Sequence, residues 1–188
     1  MKIITKTCKN LTKVDMTLMN KWRVKEFGKG EKKNFKKDYD LNTLFFFVKD
    51  TKNKEVLAFG GLRPVSVEYQ GKKYNILGVC NIISIKKKKS YGRILIQSMI
   101  KYSKRTGKTL LGFCERKNIK FYEKSGLKTK KDFTNRFAFK NPITKQVKFD
   151  KEGGDDFYYE SKDKFISKVI STNGVGYYYT KGLKEPHW

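Results

Sequence analysis

The sequence predicts a mixed α/β (α+β) fold, in which a mostly antiparallel sheet contains one parallel strand pair at its centre. Apolar runs separated by short turns predict an antiparallel meander: Thr43–Lys49, Glu55–Leu62 continued by Val65–Tyr69, and Tyr74–Ile85. A helical pattern follows, and then the fully apolar run Thr109–Cys114. A strand reached through a crossover helix is expected to lie parallel to the preceding strand.

The N-terminal segment predicts one strand and one helix. Lys2–Cys8 is rich in Ile and Thr and predicts the strand. Asp15 is a plausible helix cap, and the residues after it recur at spacings of three and four: Met16, Met19, Trp22, Arg23 and Phe27. Gly28 and Gly30 end the helix. The polar, Lys-rich stretch Glu31–Asn42 fits either a short helix or a flexible loop.

Two more helices and a β-rich C-terminal third complete the prediction. The crossover helix opens at Ser90–Arg93 and closes at Gly107, and Asn118–Lys124 forms a short helix that ends at Gly126. The remainder predicts strands and loops around a Gly153-Gly154-Asp155 turn: Phe133–Lys140, Gln146–Asp150, Asp156–Glu160, Phe165–Thr172 and Gly176–Thr180. No repeat or linker divides the chain, so we expect a single domain over residues 1–188.

The composition is that of a folded, strongly basic protein. The hydrophobic fraction of 38% excludes the class of disordered proteins. The sequence contains no run of about 18 apolar residues, so no membrane span is predicted. The net charge is +26, from 44 Lys and Arg against 18 Asp and Glu, and such a field attracts polyanions such as nucleic acid or a phosphorylated cofactor. Only six of these basic residues are Arg, and the others are Lys. Because an AT-rich genome encodes Lys-rich proteins whatever their function, coding bias is an alternative source of the charge.

Cysteine and histidine usage limits the chemistry. Cys8, Cys80 and Cys114 lie far apart and the first residues have no apolar signal core, so we expect reduced thiols and a cytoplasmic protein. The one histidine is His187, next to the C-terminus. A mechanism that depends on a central His, or a metal site that contains one, is therefore disfavoured.

The basic turn before the crossover helix predicts a phosphate-binding site. A turn that ends in small residues just before a helix presents free backbone N–H groups and the positive end of the helix dipole. Lys87, Lys88, Lys89, Ser90, Tyr91 and Gly92 occupy this position. A solvated lysine run is the alternative, but the position between a long strand and a helix favours a phosphorylated ligand.

The stretch from Ile82 to Leu127 resembles the acyl-CoA-dependent GNAT N-acyltransferases. Their pyrophosphate turn has the pattern R/Q-x-x-G-x-G/A, in which Lys87 would stand for the Arg or Gln, Ser90 for the first Gly, and Gly92 for the last residue. Phe121–Leu127 (FYEKSGL) matches the end of the family's next helix. The hairpin around Gly71 is also somewhat similar to aminoglycoside 2′-N-acetyltransferases, although a +26 chain offers little prospect of an acidic acceptor cleft.

The resemblance implies a GNAT-like sheet whose central parallel pair splays to hold CoA, with helices on both faces. It implies direct transfer of an acetyl group from acetyl-CoA, within a ternary complex, to a primary amine on a small molecule, a peptide N-terminus or a lysine of an acidic partner. Tyr122 would protonate the leaving thiolate, with a packed core tyrosine as the alternative. The cofactor-binding residues would be Ile82, Ile83, Ser84, Lys87, Lys88, Lys89, Ser90, Tyr91, Gly92, Arg93, Asn118 and Phe121.

Two questions stay open from the sequence. The general base is not identified: Glu68, Glu115 and Asp132 are candidates by position, each with a structural role as the alternative, and a water chain would need no side chain. The strand position where some relatives keep a carboxylate holds Cys80 and Asn81. The rival function is a non-catalytic module of the same fold that binds polyanions or nucleic acid through its basic surface and its tyrosines: Tyr158, Tyr159, Tyr177, Tyr178 and Tyr179. No membrane partner is expected.

Overall fold

The computed structural model describes residues 1–87, 89–141, 143–149 and 155–181. All strands in these ranges join one mixed sheet: β1 (Lys2–Thr7), β2 (Leu44–Lys49), β3 (Val56–Tyr69), β4 (Lys72–Ser84), β5 (Leu110–Cys114), β6 (Lys128–Lys131), β7 (Phe137–Lys140), β8 (Val147–Phe149), β9 (Asp155–Tyr159) and β10 (Gly176–Tyr179). The order is β6-β9-β5-β4-β3-β10-β7-β8, with β2 on β3 and β1 on β2. Only β4 with β5 and β7 with β10 pair in parallel. The predicted fold class is confirmed.

Helices cover both faces of the sheet. They are α1 (Lys13–Phe27), α2 (Phe35–Asp38), α3 (Tyr91–Thr106), α4 (Ile119–Lys124) and α5 (Phe165–Ile170). In β2, Phe46 and Val48 join the core under α3, whereas Phe45 and Phe47 join the core under α1 and α2. Successive side chains of a strand point to opposite faces, so a strand covered on both sides is apolar throughout.

The β3–β4 hairpin is the backbone of the sheet. Tyr69 pairs with Lys72 across the two-residue turn Gln70-Gly71, whose φ angles of 48° and 72° are those of a type I′ turn. β3 is one continuous strand where the sequence predicted two segments. Two strands share the edge of β3 that faces away from β4. β2 pairs with the first part of β3, up to Leu62, and β10 pairs with Ser66–Tyr69.

The start and the inner face of α1 differ from the prediction. Thr12 is the cap: its hydroxyl accepts from the Asp15 N–H at 3.2 Å, and the Asp15 carboxylate accepts from the Thr12 N–H at 2.9 Å. Burial acts to raise the pKa of Asp15, but hydrogen bonds from Lys6 and Thr12 outweigh it and lower that pKa. Phe27 belongs to the predicted apolar stripe of the helix but is 52% exposed, and it is the last residue of α1.

The C-terminal third contains the largest error of the prediction. Phe165–Thr172 was expected to be a strand, but 165–170 form α5, in which Phe165, Ile166 and Val169 are buried. A short apolar run does not distinguish a buried strand from one buried helical face. Strand β6 was missed because its Lys-rich sequence has no apolar face. Gly153 and Gly154 of the predicted turn lie outside the described residues.

Candidate active site

The parallel pair β4–β5 is very short, and the two strands then separate. They pair only at Leu77 with Leu110 and Gly78 with Leu111, next to a 2.9 Å hydrogen bond from the Leu77 N–H to the Thr109 carbonyl. Beyond Gly78, β4 continues along β3 to Ser84, whereas β5 continues along β9 to Cys114. We call the gap between the edges Val79–Ser84 and Gly112–Cys114 the splay. Its existence matches the sheet that the sequence predicted.

A β-bulge lies in β4 at the splay. Cys80 pairs with Gly61 but Ile83 pairs with Phe59, so Asn81 and Ile82 together oppose the single residue Gly60. Asn81 takes a left-handed conformation with φ of 55°, which asparagine tolerates better than most residues. The bulge re-aims the strand that follows it.

The bulge decides which backbone groups face the splay. The Ile85 N–H donates to the Leu57 carbonyl of β3 at 2.9 Å. Alternate residues of a strand direct their backbone groups to opposite neighbours, so Ile83 is also directed at β3. Ile82 and Ser84 are directed into the splay. Of the three residues predicted to bind the pantetheine arm through their backbone, these two lie with open groups there, and Ile83 is a core residue with 2% exposure.

Two glycines opposite the bulge make room for it, and the sequence reasoning missed them. A Cβ on Gly60 would lie 2.5 Å from Ile82 Cδ1, and a Cβ on Gly61 would lie 2.9 Å from a Phe45 ring carbon and 3.0 Å from Cys80 Sγ. The signal was present, because paired glycines inside an apolar strand indicate a bulge or a close approach.

The turn after β4 leads directly into the N-terminus of α3. Ser90 is the N-cap residue and has φ of 60°, the conformation for which glycine is favoured, and its side chain makes no capping hydrogen bond. Within the described part of the chain, the N–H groups of Tyr91, Gly92 and Arg93 have no partner, and the Ile94 N–H donates to the Ser90 carbonyl at 3.1 Å. This is the geometry of an anion-binding helix start.

Exposed cations surround this helix start. Lys87, Lys89 and Arg93 are exposed, and Lys88 lies outside the described residues. The Lys87 ammonium is 2.8 Å from the Glu26 carboxylate at the end of α1. Exposed ion pairs contribute about 0–1 kcal/mol, so a phosphate can displace Glu26 at little cost.

Gly92 and Phe121 bring α3 and α4 together. A Cβ on Gly92 would meet the Phe121 ring at 3.1 and 3.3 Å, so glycine permits this close approach of the two helices. Phe121 remains 36% exposed, beside the helix start. Asn118, just before α4, is exposed. Phe121 of α4 therefore lies beside the predicted residues at the start of α3.

Tyr122 lies over the departing end of β5. Its ring stacks on Phe157 with centroids 3.8 Å apart and an angle of 11°, and Phe157 pairs with Gly112 across β5 and β9. Tyr122 is 8% exposed, and its hydroxyl has no hydrogen-bond partner among the described residues. Burial raises its pKa above the usual tyrosine value, with a smaller contribution from Cys114. The phenol is therefore protonated throughout the neutral range.

The candidate bases divide by location. Glu115 directly follows β5 at the splay, is exposed and pairs with Lys117. Glu68 lies seven residues along β3 from Gly61, about 23 Å at strand spacing, and Asp132 follows the edge strand β6. Glu68 is therefore not brought to the splay. Asp132 lies two strands from the end of β5, because Lys131 pairs with Asp155 and Asp155 pairs with Cys114. Burial raises the pKa of Cys80 to about 11, so that side chain is not a base at neutral pH.

Cys114 is free and partly buried at the end of β5. Burial, with smaller contributions from neighbouring carboxylates, raises its pKa to about 11. The thiolate is the nucleophilic form of cysteine, so this environment keeps Cys114 unreactive. Cys114 therefore acts as a partly buried packing residue.

A buried carboxylate that the sequence reasoning missed lies behind β5. Asp156 pairs with Phe113 across the sheet, is 0% exposed, and accepts from the Thr134 N–H at 3.0 Å and the Thr134 hydroxyl at 2.6 Å. Burial raises its pKa to about 6, against the hydrogen bonds from Thr134. These bonds tie the segment after β6 to the strand that supports β5.

The features behind the rival function are dispersed. Tyr177, Tyr178 and Tyr179 line a cleft of about 230 Å³ near Lys73 and Lys140, and Tyr178 is otherwise a core residue with 5% exposure. The cleft lies between β3, β7 and β10, away from the splay. A groove of about 630 Å³ lies along α1 and is lined by Lys13, Met16, Thr17, Asn20, Lys21, Val24 and Lys32. Within the described ranges, no helix has the length and apolar character needed to cross a bilayer.

Solved structures of other proteins are similar to this fold, whereas sequence comparisons find no match. No protein-family model and no curated protein sequence matches the chain. The GNAT family N-acetyltransferase YhbS from Escherichia coli, solved in complex with CoA, is similar with a TM-score of 0.58 and 13% identity over 95% of this chain and 90% of that one. An acyl-CoA N-acyltransferase from Pseudomonas aeruginosa gives 0.55 and 11% over 84% and 99%.

Tetrahymena GCN5 is similar with a TM-score of 0.54 and 16% identity over 84% of this chain and 94% of that one. At these identities the likeness concerns the fold, and it includes the mixed sheet that carries the splay. The resemblance predicted from the sequence is thus confirmed at the level of structure: the chain has the fold of the GNAT acyl-CoA N-acyltransferases.

Proposed function

We propose that the protein is an N-acetyltransferase that moves an acetyl group from acetyl-CoA to a primary amine by direct transfer within a ternary complex. The observation that carries the proposal is the continuity of three features. The splay provides open backbone groups at Ile82 and Ser84, the next turn leads to the bare helix start at Tyr91–Arg93, and Tyr122 lies at the end of the facing strand.

The residues fit a molecule with an amide-rich arm and a pyrophosphate. The unbonded N–H groups at the start of α3 suit the pyrophosphate, and the exposed Lys87, Lys89 and Arg93 suit the remaining phosphate charge. Ile82 and Ser84 have backbone groups to offer to the arm. The apolar surface of Phe121 lies next to the same helix start, and Asn118 is exposed at the beginning of α4.

Acetyl-CoA supplies an activated acetyl group: a C–N bond forms to the amine, the C–S bond breaks, the amine loses a proton and the sulfur gains one. The splay orients the reacting groups and its backbone N–H groups stabilise charge that develops on an oxygen. Tyr122 donates a proton to the sulfur, because its raised pKa keeps the phenol protonated at neutral pH. Glu115 or water takes the proton from the amine.

The first test is binding. Acetyl-CoA at low millimolar concentration should raise the melting temperature, and a nucleic-acid duplex of equal charge should not. Stabilisation by the duplex alone would instead favour the polyanion-binding module. A panel of small amines, peptides with free N-termini and acidic proteins with exposed lysines, assayed for CoA release, then identifies the acceptor class.

A further inference from the structure

We propose that Tyr39 is a positioning residue that holds the β4 bulge in the conformation needed for acyl transfer. The Asn81 amide Nδ2 donates to the Tyr39 hydroxyl at 2.8 Å, and that hydroxyl lies 3.3 Å from Asn81 Oδ1. This is a contact between residues 42 positions apart, and it attaches the bulge to the segment that follows α2. The functional part of the proposal rests on the acetyltransferase function above.

The bulge needs an external support because its backbone is unusual. Asn81 has φ of 55°, and a non-glycine residue in this region persists when its surroundings hold it there. Gly60 and Gly61 lie opposite and leave space for the bulge, but they have no side chains that could hold it in place. Among residues distant in the sequence, the described hydrogen bonds of the Asn81 side chain are those with Tyr39, and its sequence neighbour Cys80 also interacts with the amide.

Tyr39 is itself held rigidly, which is what a support requires. It is 8% exposed, stacks on Phe35 with centroids 5.3 Å apart, and meets Phe45 edge-on at 5.7 Å. The Arg63 guanidinium lies 4.8 Å from the centre of the Tyr39 ring and donates to the Asp38 carbonyl at 2.9 Å. Burial raises the pKa of Tyr39 to about 12, so the hydroxyl remains protonated.

The consequence for function follows from the strand geometry. Asn81 immediately precedes Ile82, and the bulge is the reason that Ile82 and Ser84 direct their backbone groups into the splay. Groups that stabilise developing charge work well only when they are fixed in advance. Loss of the Tyr39 hydroxyl should leave the phosphate site intact, because that site lies in the turn and in α3. It should affect only how firmly the thioester carbonyl of bound acetyl-CoA is held.

The test compares Tyr39→Phe with two other variants. Tyr39→Phe keeps the ring and its packing and removes the hydroxyl. Asn81→Gly keeps the left-handed backbone and removes the amide, so it gives a second route to the same loss. Tyr69→Phe is the matched control: Tyr69 is 1% exposed, and its hydroxyl has partners at 3.0 Å in Thr172 and 2.8 Å in Arg136, at the other end of β3.

The first readout needs no ligand. Amide hydrogen exchange at Ile83, next to the bulge, should become about tenfold faster in Tyr39→Phe and Asn81→Gly, the effect of losing about one hydrogen bond, and stay unchanged in Tyr69→Phe. Equal protection of Ile83 in all three variants would overturn the proposed support, whether or not the protein binds acetyl-CoA.

The second readout is the carbonyl resonance of acetyl-CoA that is isotope-labelled at its carbonyl carbon. Binding to the unmodified protein should move the resonance downfield, and Tyr39→Phe should return it at least halfway to the free position while the affinity for CoA stays the same. If the resonance in the complexes of Tyr39→Phe and Asn81→Gly has the same position as in the complex of the unmodified protein, the role in carbonyl positioning is overturned. Absence of binding by the unmodified protein would refute the proposed function and leave the exchange result to stand alone.

Discussion

The two halves of β4 belong to one continuous strand but have different structures. Residues 72–78 form a regular ladder with β3, and at Leu77 and Gly78 the strand is also paired with β5. Residues 79–84 keep β3 on one side, lose β5 on the other, and contain the bulge at Asn81. The first half holds the centre of the sheet together, and the second half directs backbone groups into the splay.

The difference shows that the candidate site is made by departures from regularity. A regular β4 would pair with β5 along its length and would leave no open backbone groups. The irregular half needs Gly60 and Gly61 opposite, Tyr39 beside it, and β9 to draw β5 away. These requirements give a graded series of ways to test the comparison.

The largest expected effect concerns Tyr122, on the side of the splay that β5 forms. Tyr122→Phe retains the stack on Phe157 and removes the proton donor, so turnover should fall by about 10²-fold with CoA affinity little altered. The measurement is steady-state acetyl transfer to an amine from the acceptor screen, with CoA binding by calorimetry. Near-normal turnover would mean that solvent protonates the sulfur and that Tyr122 is a packing residue.

The second prediction tests the close packing behind β5. A Cβ on Gly112 would lie 2.4 Å from the Phe157 ring, so Gly112→Ala must displace that ring and the Tyr122 stacked on it. We expect a loss of about 1–3 kcal/mol in unfolding free energy, measured in urea, with reduced turnover. Gly30→Ala is the control, since its Cβ would meet nothing within 4 Å. Equal stability of the two variants would show that β5 is not closely packed there.

The third prediction is a pH dependence from Asp156. Its pKa is raised from 3.8 to about 6 in the folded state, so the folded protein binds this proton more tightly than the unfolded chain. The resulting contribution to the free energy of unfolding is complete below about pH 4 and is lost as the pH rises through 6. Unfolding free energy should therefore decline across this window, and Asp156→Asn should flatten the decline. The lowered pKa of Asp15 acts oppositely and at lower pH. An unchanged slope in Asp156→Asn would contradict the burial of this carboxylate.

The smallest expected effect concerns the turn that follows the irregular half of β4. Replacing Lys87, Lys88 and Lys89 together by Gln should weaken CoA binding several-fold and flatten its dependence on salt, because exposed charges act through a screened field. Calorimetry at several ionic strengths measures both quantities. A lower affinity with an unchanged salt slope would mean that the lysines shape the turn and do not attract the phosphates.

The sequence predicts the regular parts of this fold well. Tyr74–Ile85, the crossover helix to Gly107 and Thr109–Cys114 are each strong periodic or apolar segments, and their order requires the parallel pair. The resemblance at Phe121–Leu127 correctly located α4, but no sequence pattern indicated that Tyr122 stacks on Phe157. Contacts between distant segments such as these two aromatic residues leave no local pattern.

The irregular parts required the structure. Asn81 inside an apolar strand and the Gly60-Gly61 pair are signals of a bulge, but neither identifies Tyr39 as the partner. The error at Phe165–Thr172 has the same origin, because a short segment with few apolar residues obtains its conformation from what it packs against. Local sequence therefore locates the elements, and tertiary contacts decide how they are bent and joined.

The most direct measurement is an amide NMR titration of the isotope-labelled protein with CoA. The account predicts that the resonances of Ile82, Ser84 and Tyr91–Arg93 shift, and that those of Tyr74 and Ile76, in the regular half of β4, do not. Shifts centred on Tyr177 and Tyr179, or no saturable shifts at all, would contradict the claim that the irregular half of β4 and the start of α3 form the binding site.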